Sequence, residues 1–357
     1  MTELLVGTKK GLFVLEGDPG GEFAITARAF AGDPVEYVLR DPGSGRLLAS
    51  VTSPFYGPKI FHADDAAGEW TQAQGVALPE GGDAALERIW VIAPGDGGGT
   101  LYAGGDPGVL FESRDGGATW ELNKGLWEHP TRGTWQPGGG GLCLHSIVPW
   151  PGDPQRLAVA ISAAGVWLTD DGGETWRQGV DGLSARYLPE APSDDTQTGL
   201  CVHRLHRAPQ RPERMFLQFH GGVYRSDDAG ESWTEIGAGL PSDFGFPLVL
   251  DPADPDCAYV IPLSADTDRV TPDGRVRVYE TRDAGASWTA RGDGLPQDDA
   301  YLTILRLAFD RKPSSNGDGL ELYFGATSGD VFGSADGGAS WFSAAMRLPP
   351  VYSVTAT

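Results

Sequence analysis

Two histidines sit in nearly identical frames, GLCLH at 141–145 and GLCVH at 199–203. Each stands six residues before a proline, Pro151 and Pro209. The same step back from Pro42, Pro94 and Pro252 reaches Glu36, Arg88 and Phe246, and a looser fit offers Thr303 and Tyr352. Equivalent positions therefore carry a carboxylate, a guanidinium and two imidazoles in succession. An imidazole near neutrality passes a proton either way, and an adjacent guanidinium stabilises developing negative charge. His145, His203, Arg88 and Glu36 are the catalytic candidates. The bland alternative for an inner-strand histidine is a core residue with both nitrogens satisfied.

Further candidates come from turns and links. Two residues before the glycine of GLF, GVL, GVW and GVY stand Lys9, Asp106, Ala163 and His220. The turns at 52–59 and 264–274 are longer and could cover a pocket mouth, with Tyr56 and Lys59 exposed to a ligand. The links 121–141 and 177–199 are long, and long loops are usually functional. They offer Arg132, Trp135, Tyr187 and Glu190 as pocket walls, with Trp127 and Trp135 able to stack on a flat ligand. Arg204 and Arg306 could also be aimed at the pocket, but their strand parity is open. The substrate-binding set is His220, Arg132, Trp135, Tyr187, Asp106, Lys9 and Tyr56. No compact metal-spacing motif exists. No cofactor is required by the sequence; a divalent metal, if bound, would take His145, His203 and His220.

These residues are positioned by a repeat. SRDGGATW at 113–120 recurs as TDDGGETW, SDDAGESW, TRDAGASW and SADGGASW, with a worn copy, ADDAAGEW, at 63–70. The closing tryptophans, from Trp70 to Trp341, are 50, 56, 57, 55 and 53 residues apart. That spacing suits one four-stranded sheet per repeat, as in a propeller blade. Between the tryptophans lie short Val/Ile/Leu/Trp-rich runs bounded by turn formers, and no convincing 3.6-residue apolar period. The motif reads as a turn lock: Asp accepts backbone N–H bonds, glycines supply positive φ, and Trp buries a ring beside the hairpin. Blades are expected at 34–72, 85–123, 142–179, 200–237, 244–292 and 300–345. A seventh joins the N-terminal LLVGTKKGLFVLEG to the orphan C-terminal VYSVTAT, which hides two sheet edges. The fold expected is all-β, a seven-bladed propeller filling residues 1–357 as one domain.

The pattern S/T-x-D-x-G-x-S/T-W resembles the Asp-box, or BNR, repeat, and the finer text (GGGGLCLH, TGLCVH, GGVYRSDDAGESW) is similar to bacterial sialidase-like, BNR-repeat glycosyl hydrolase proteins. The resemblance spans nearly the whole chain and implies an axial polar pocket acting on, or binding, a glycan or small polar molecule. Sialidases hold a substrate carboxylate with three arginines, the first in an Arg-Ile-Pro segment; here Arg88 lies in ERIWV without the proline, so poor sialidase activity is expected. Two other readings stay open: a non-catalytic ligand-binding or assembly platform, and a His/Arg/Tyr lyase or metal-dependent enzyme.

Composition narrows the partners. A net charge of −22 repels nucleic acid and anionic lipid, and basic clusters are absent. The opening MTELLVGTKKG has no apolar leader core, no run is long enough to span a bilayer, and three cysteines are an odd set. A cytoplasmic protein with a small-molecule or glycan ligand and no nucleic-acid or membrane partner is expected; the sequence leaves the oligomeric state open, and a monomer is compatible with it.

Overall fold

A computed structural model describes residues 1–81, 84–97, 99–187, 199–264, 267–314 and 319–357. Seven four-stranded antiparallel sheets form the blades of a propeller, and six run in simple sequence order. Blade 2 spans 35–72, blade 3 88–122, blade 4 144–178, blade 5 202–235, blade 6 245–291 and blade 7 309–345. Blade 1 is built from both ends: strand Val351–Ala356 pairs with Thr2–Thr8, followed by Gly11–Gly17 and Phe23–Ala29. The register Leu4↔Ala356 and Val6↔Val354 closes the ring as expected.

The repeated turn is held by its own side chains. Ser113 Oγ accepts the Gly117 N–H and donates to Asp115, both at 2.9 Å, while Thr119 gives Asp115 its N–H and its hydroxyl at 2.9 and 2.6 Å. The same pattern recurs at Asp171, Asp228, Asp283 and Asp336. Each turn also reaches the blade before it: Trp120 N–H donates to Gln74, Trp233 N–H to Asp181 and Trp341 N–H to Asp293. This approach is why glycine follows those residues. A Cβ on Gly75, Gly182 or Gly294 would lie about 2 Å from the tryptophan carbonyl.

The inner strands share one irregularity. The pairing register slips in six of them, leaving Glu36, Trp90, His145, His203, Phe246 and Tyr352 at the slip. A bulge frees a residue from the ladder and re-aims its side chain. These bulges form the ring around the axis. Counted from the bulge, Pro94 stands two residues early, so the ring member of blade 3 is Trp90, with Arg88 one alternation before it. The inner strand of blade 7 is Phe309–Pro313, later than the sequence suggested.

One short helix, Lys124–Trp127, lies in the link after blade 3 and is capped by Asn123, whose side chain accepts the Leu126 N–H at 2.9 Å. No helix among the described residues is long and apolar enough to cross a membrane.

Candidate functional site

A cavity of about 480 Å³ opens at the axis on the face away from the repeated turns. Its wall takes Glu36, Trp90, Phe246 and Tyr352 from the bulge ring and Arg88 from the same strand as Trp90. Gly140 from the link after blade 3 and Thr303, Leu305, Arg306 and Leu307 from the segment entering blade 7 complete much of the rest. Thr267, Asp268 and Arg269 come from the long turn of blade 6, which covers the mouth as its length suggested.

The cavity is cationic within a strongly acidic chain. Arg88 pairs with Glu36 at 3.3 Å and lies 4.8 Å from the centre of the Trp90 ring. Arg306 sits between two aromatic walls, 4.9 Å from Phe246 and 5.5 Å from Trp90, and makes no ion pair among the described residues. Its Nε is buried without a hydrogen-bond partner, and so is the indole Nε1 of Trp90. Burial pulls the Arg306 guanidinium below its ordinary range, and the positive charges of Arg269 and Arg88 pull the same way. Arg269 holds a left-handed backbone, φ 52°, and accepts the Thr303 hydroxyl on its carbonyl at 2.8 Å. Strained non-glycine backbone is kept where the surroundings fix it, often beside ligands. Thr271 ties the same turn to Leu302, whose N–H its hydroxyl accepts at 3.1 Å.

Glu36 is 5% exposed. Burial raises its carboxyl above the usual range, and Arg88 opposes the shift. The Tyr352 phenol is raised by burial and then by the neighbouring Glu36 charge. The wall thus holds two carboxyl groups, Glu36 and Asp268, a phenol and three guanidiniums.

The histidines do not open into this cavity together, as sequence reasoning had expected. His145 is fully buried between blades: its Nε2 donates to the Val202 carbonyl at 2.9 Å and its Nδ1 takes the Ser146 hydroxyl at 3.0 Å. Ser146 in turn accepts the Leu205 N–H, so the imidazole is a satisfied core group. His203 is 2% exposed and gives its Nδ1–H to the Gly245 carbonyl at 2.6 Å. Burial pushes both imidazoles well below their ordinary range, so both are neutral. His220 stands beside His203, ring centres 5.3 Å apart, under the ring of Tyr187 at 4.2 Å.

The other expected wall residues are turned elsewhere. Arg132 donates to the carbonyls of Gly108 and Pro107 and lies over Trp127 at 3.9 Å. Trp135 is buried against Trp167, ring centres 4.8 Å apart. The Tyr187 hydroxyl accepts the Cys201 N–H at 3.0 Å and donates to the Gly199 carbonyl. Asp106 lies 3.7 Å from the Cys143 sulfur, Lys9 is exposed on its turn, and Tyr56 is 79% exposed at a hairpin tip. Arg204 turns to His206 Nε2 at 3.0 Å and the His145 carbonyl. Glu190 lies outside the described residues.

Trp90, Asp268 and Arg269 escaped the sequence reading. Period-2 alternation from Arg88 would have reached Trp90. Six residues back from Pro313 is Leu307, a wall residue that also points to its neighbour Arg306.

The fold and site define a seven-bladed β-propeller with an arginine-lined axial cavity. By structure the chain is similar to an ancestral GH74 enzyme (TM-score 0.56, 16% identity, 87% of this chain and 38% of that one). It is also similar to a putative 6-phosphogluconolactonase from Bacteroides fragilis (0.59, 12%, 100% and 98%) and to YCF48 from Cyanidioschyzon merolae (0.52, 12%, 88% and 87%). The chain spans well under half the length of the first of these. At such identities the likeness is one of fold. No protein-family model matches the chain, and no curated protein matches it by sequence.

Proposed function

We propose that the axial cavity binds and hydrolyses a glycoside whose sugar carries a carboxylate. The observation that carries this reading is the pair of buried, unpartnered donors on the wall, Arg306 Nε and Trp90 Nε1. An unpaired buried donor costs free energy, the more so on a charged group. A carboxylate seated beside Arg306 supplies the counter-charge that Arg306 lacks among the described residues, and Arg269 and Arg88 on the same wall add to the attraction. Phe246 and Trp90 offer apolar faces for a sugar ring. The three arginines come from blade 3, the blade 6 turn and the blade 7 entry, which supports a carboxylate clamp of the kind the sialidase resemblance implies, though without an Arg-Ile-Pro segment.

Chemistry falls to Glu36 and Asp268, the two carboxyl groups that glycoside hydrolysis generally requires. Glu36, raised by burial, suits the acid that protonates the leaving oxygen. Asp268 is the partner carboxylate, as nucleophile or base, and Tyr352 beside Glu36 is the alternative nucleophile, since sialidases use tyrosine.

The test is a panel of aryl glycosides of uronic acids, sialic acid and neutral hexoses, with affinities measured by calorimetry. Acidic sugars are expected to bind and turn over, and the uronide and sialoside arms decide which acid fits. Arg306→Ala should weaken binding about 10- to 100-fold, the worth of a charge-assisted hydrogen bond. Glu36→Gln should keep binding and lower turnover by about 10²–10⁴-fold. Binding of neutral and acidic sugars alike, or of none, would overturn the reading in favour of a platform.

A further inference from the structure

Blade 5 carries a second constellation, separate from the cavity wall. Cys201 immediately precedes the inner strand of blade 5, and His203 stands at that strand's bulge, two residues on. The hairpin register Val202↔Phe219 sets Cys201 opposite His220, and the His220 N–H donates to the Cys201 carbonyl at 2.9 Å. One ligand-type atom from each of Cys201, His203 and His220 lies within 4.8 Å of the other two.

We propose that Cys201, His203 and His220 form a zinc site. Sulfur plus two imidazoles is a donor set that zinc takes, usually with a fourth ligand such as water. A tetrahedral ion with bonds of about 2.0–2.3 Å spans its ligands by roughly 3.3–3.8 Å, so side chains within 4.8 Å need close in by only about 1 Å. The second shell is already in place. His203 gives its Nδ1–H to the Gly245 carbonyl, which fixes the tautomer and leaves the Nε2 lone pair as its ligand atom. Tyr187 packs over the His220 ring and holds the Cys201 N–H. On binding, the Cys201 thiol releases its proton to solvent and the sulfur bonds the metal as thiolate. Arg306 and Arg269 are the nearby cations, and the charge of a metal-bound thiolate offsets their repulsion of the metal.

The neighbouring blade supplies an internal contrast. Cys143 and His145 repeat the Cys-x-His pattern, but the turn residue opposite is Ser162, whose N–H donates to the Cys143 carbonyl at 2.8 Å. The Cys143 thiol donates to the Gly140 carbonyl at 3.0 Å and His145 has both nitrogens engaged. The same strand pattern without the turn histidine is therefore packing, and His220 makes the difference.

The experiment uses the full chain, stripped with a chelator and titrated with Co(II), then back-titrated with Zn(II). One equivalent of Co(II) should develop thiolate-to-cobalt charge transfer and tetrahedral d–d bands, both removed by one equivalent of zinc. Cys201→Ala should abolish the charge-transfer band. His220→Ala, at a half-exposed turn position, should weaken zinc binding at least about tenfold, while Cys143→Ala leaves band and affinity intact. Thermal unfolding of each variant shows that it is folded. A folded chain with no thiolate band at one equivalent, or a band that survives Cys201→Ala, overturns the site. The readout does not depend on any sugar, so it stands or falls apart from the hydrolase reading.

Discussion

Asp171 and Asp283 show how one residue type serves the whole ring. Each carboxylate accepts the hydroxyl and N–H of the Thr or Ser four residues on, and these bonds pull both acids from the usual 3.8 to about 2. A carboxyl lowered in the folded state stabilises the fold above its unfolded value and ceases to as pH falls through its folded one. The denaturation midpoint should therefore hold steady above about pH 4 and drop as pH falls toward 2. Asp171→Asn together with Asp283→Asn should lower the midpoint at neutral pH and flatten this drop. A double variant with an unchanged acid profile would show that other carboxyls govern it. The same accounting of donors and acceptors separates His145, fully satisfied, from Arg306, with an orphan Nε.

The link after blade 3 shows an element whose length misleads. Its aromatic and cationic residues suggested a pocket wall, yet they brace the link itself. Arg132 joins the turn carbonyls of Pro107 and Gly108 to the rings of Trp127 and Trp135. Burial lowers its guanidinium to about 10. Arg132→Ala should cost about 1.5–3 kcal/mol of stability, as for lost hydrogen bonds to a charged group. Calorimetry should find the affinity of the axial cavity for its ligand little changed. A large loss of ligand binding with unchanged stability would return Arg132 to the site. Only Gly140, near the end of this link, lines the cavity.

At the scale of the molecule, closure depends on seven residues at the C-terminus. Strand Val351–Ala356 pairs with Thr2–Thr8 and is tied to neighbouring blades through Val354 N–H to Leu307 at 3.0 Å and Thr355 Oγ1 to Val38 at 2.7 Å. The same strand brings Tyr352 to the cavity. Deleting residues 351–357 should lower the thermal midpoint sharply, because it uncovers the inner edge of strand Thr2–Thr8 and the apolar core that Val351 and Val354 cover. A truncated chain that melts with the full one would mean the ring does not rely on this clasp.

The blade count, the bounds of all the blades but the start of the last, and the two-ended closure were legible in the sequence because turn chemistry is local: Ser/Thr, Asp, Gly and Trp make their bonds within eight residues of one another. The proline spacing likewise found Glu36 and Phe246, and the looser fit of the last strand found Tyr352, since bulges recur at one point of a repeating strand. What the sequence could not decide was which ring positions meet open space. Glu36 and His145 hold the same place in their blades, but one faces the cavity and the other is sealed by Ser146 beside it on the strand and by Val202 of the adjoining blade. Nor could it place Arg306, which lies before the ladder of blade 7, beside an isolated bridge from Leu307 to Ser353 of the C-terminal strand that only the closed ring creates. Cavity walls are assembled from residues far apart in the chain, so only the closed ring, which packs the blade 6 turn and the blade 7 entry against Arg88 and Glu36, determines them.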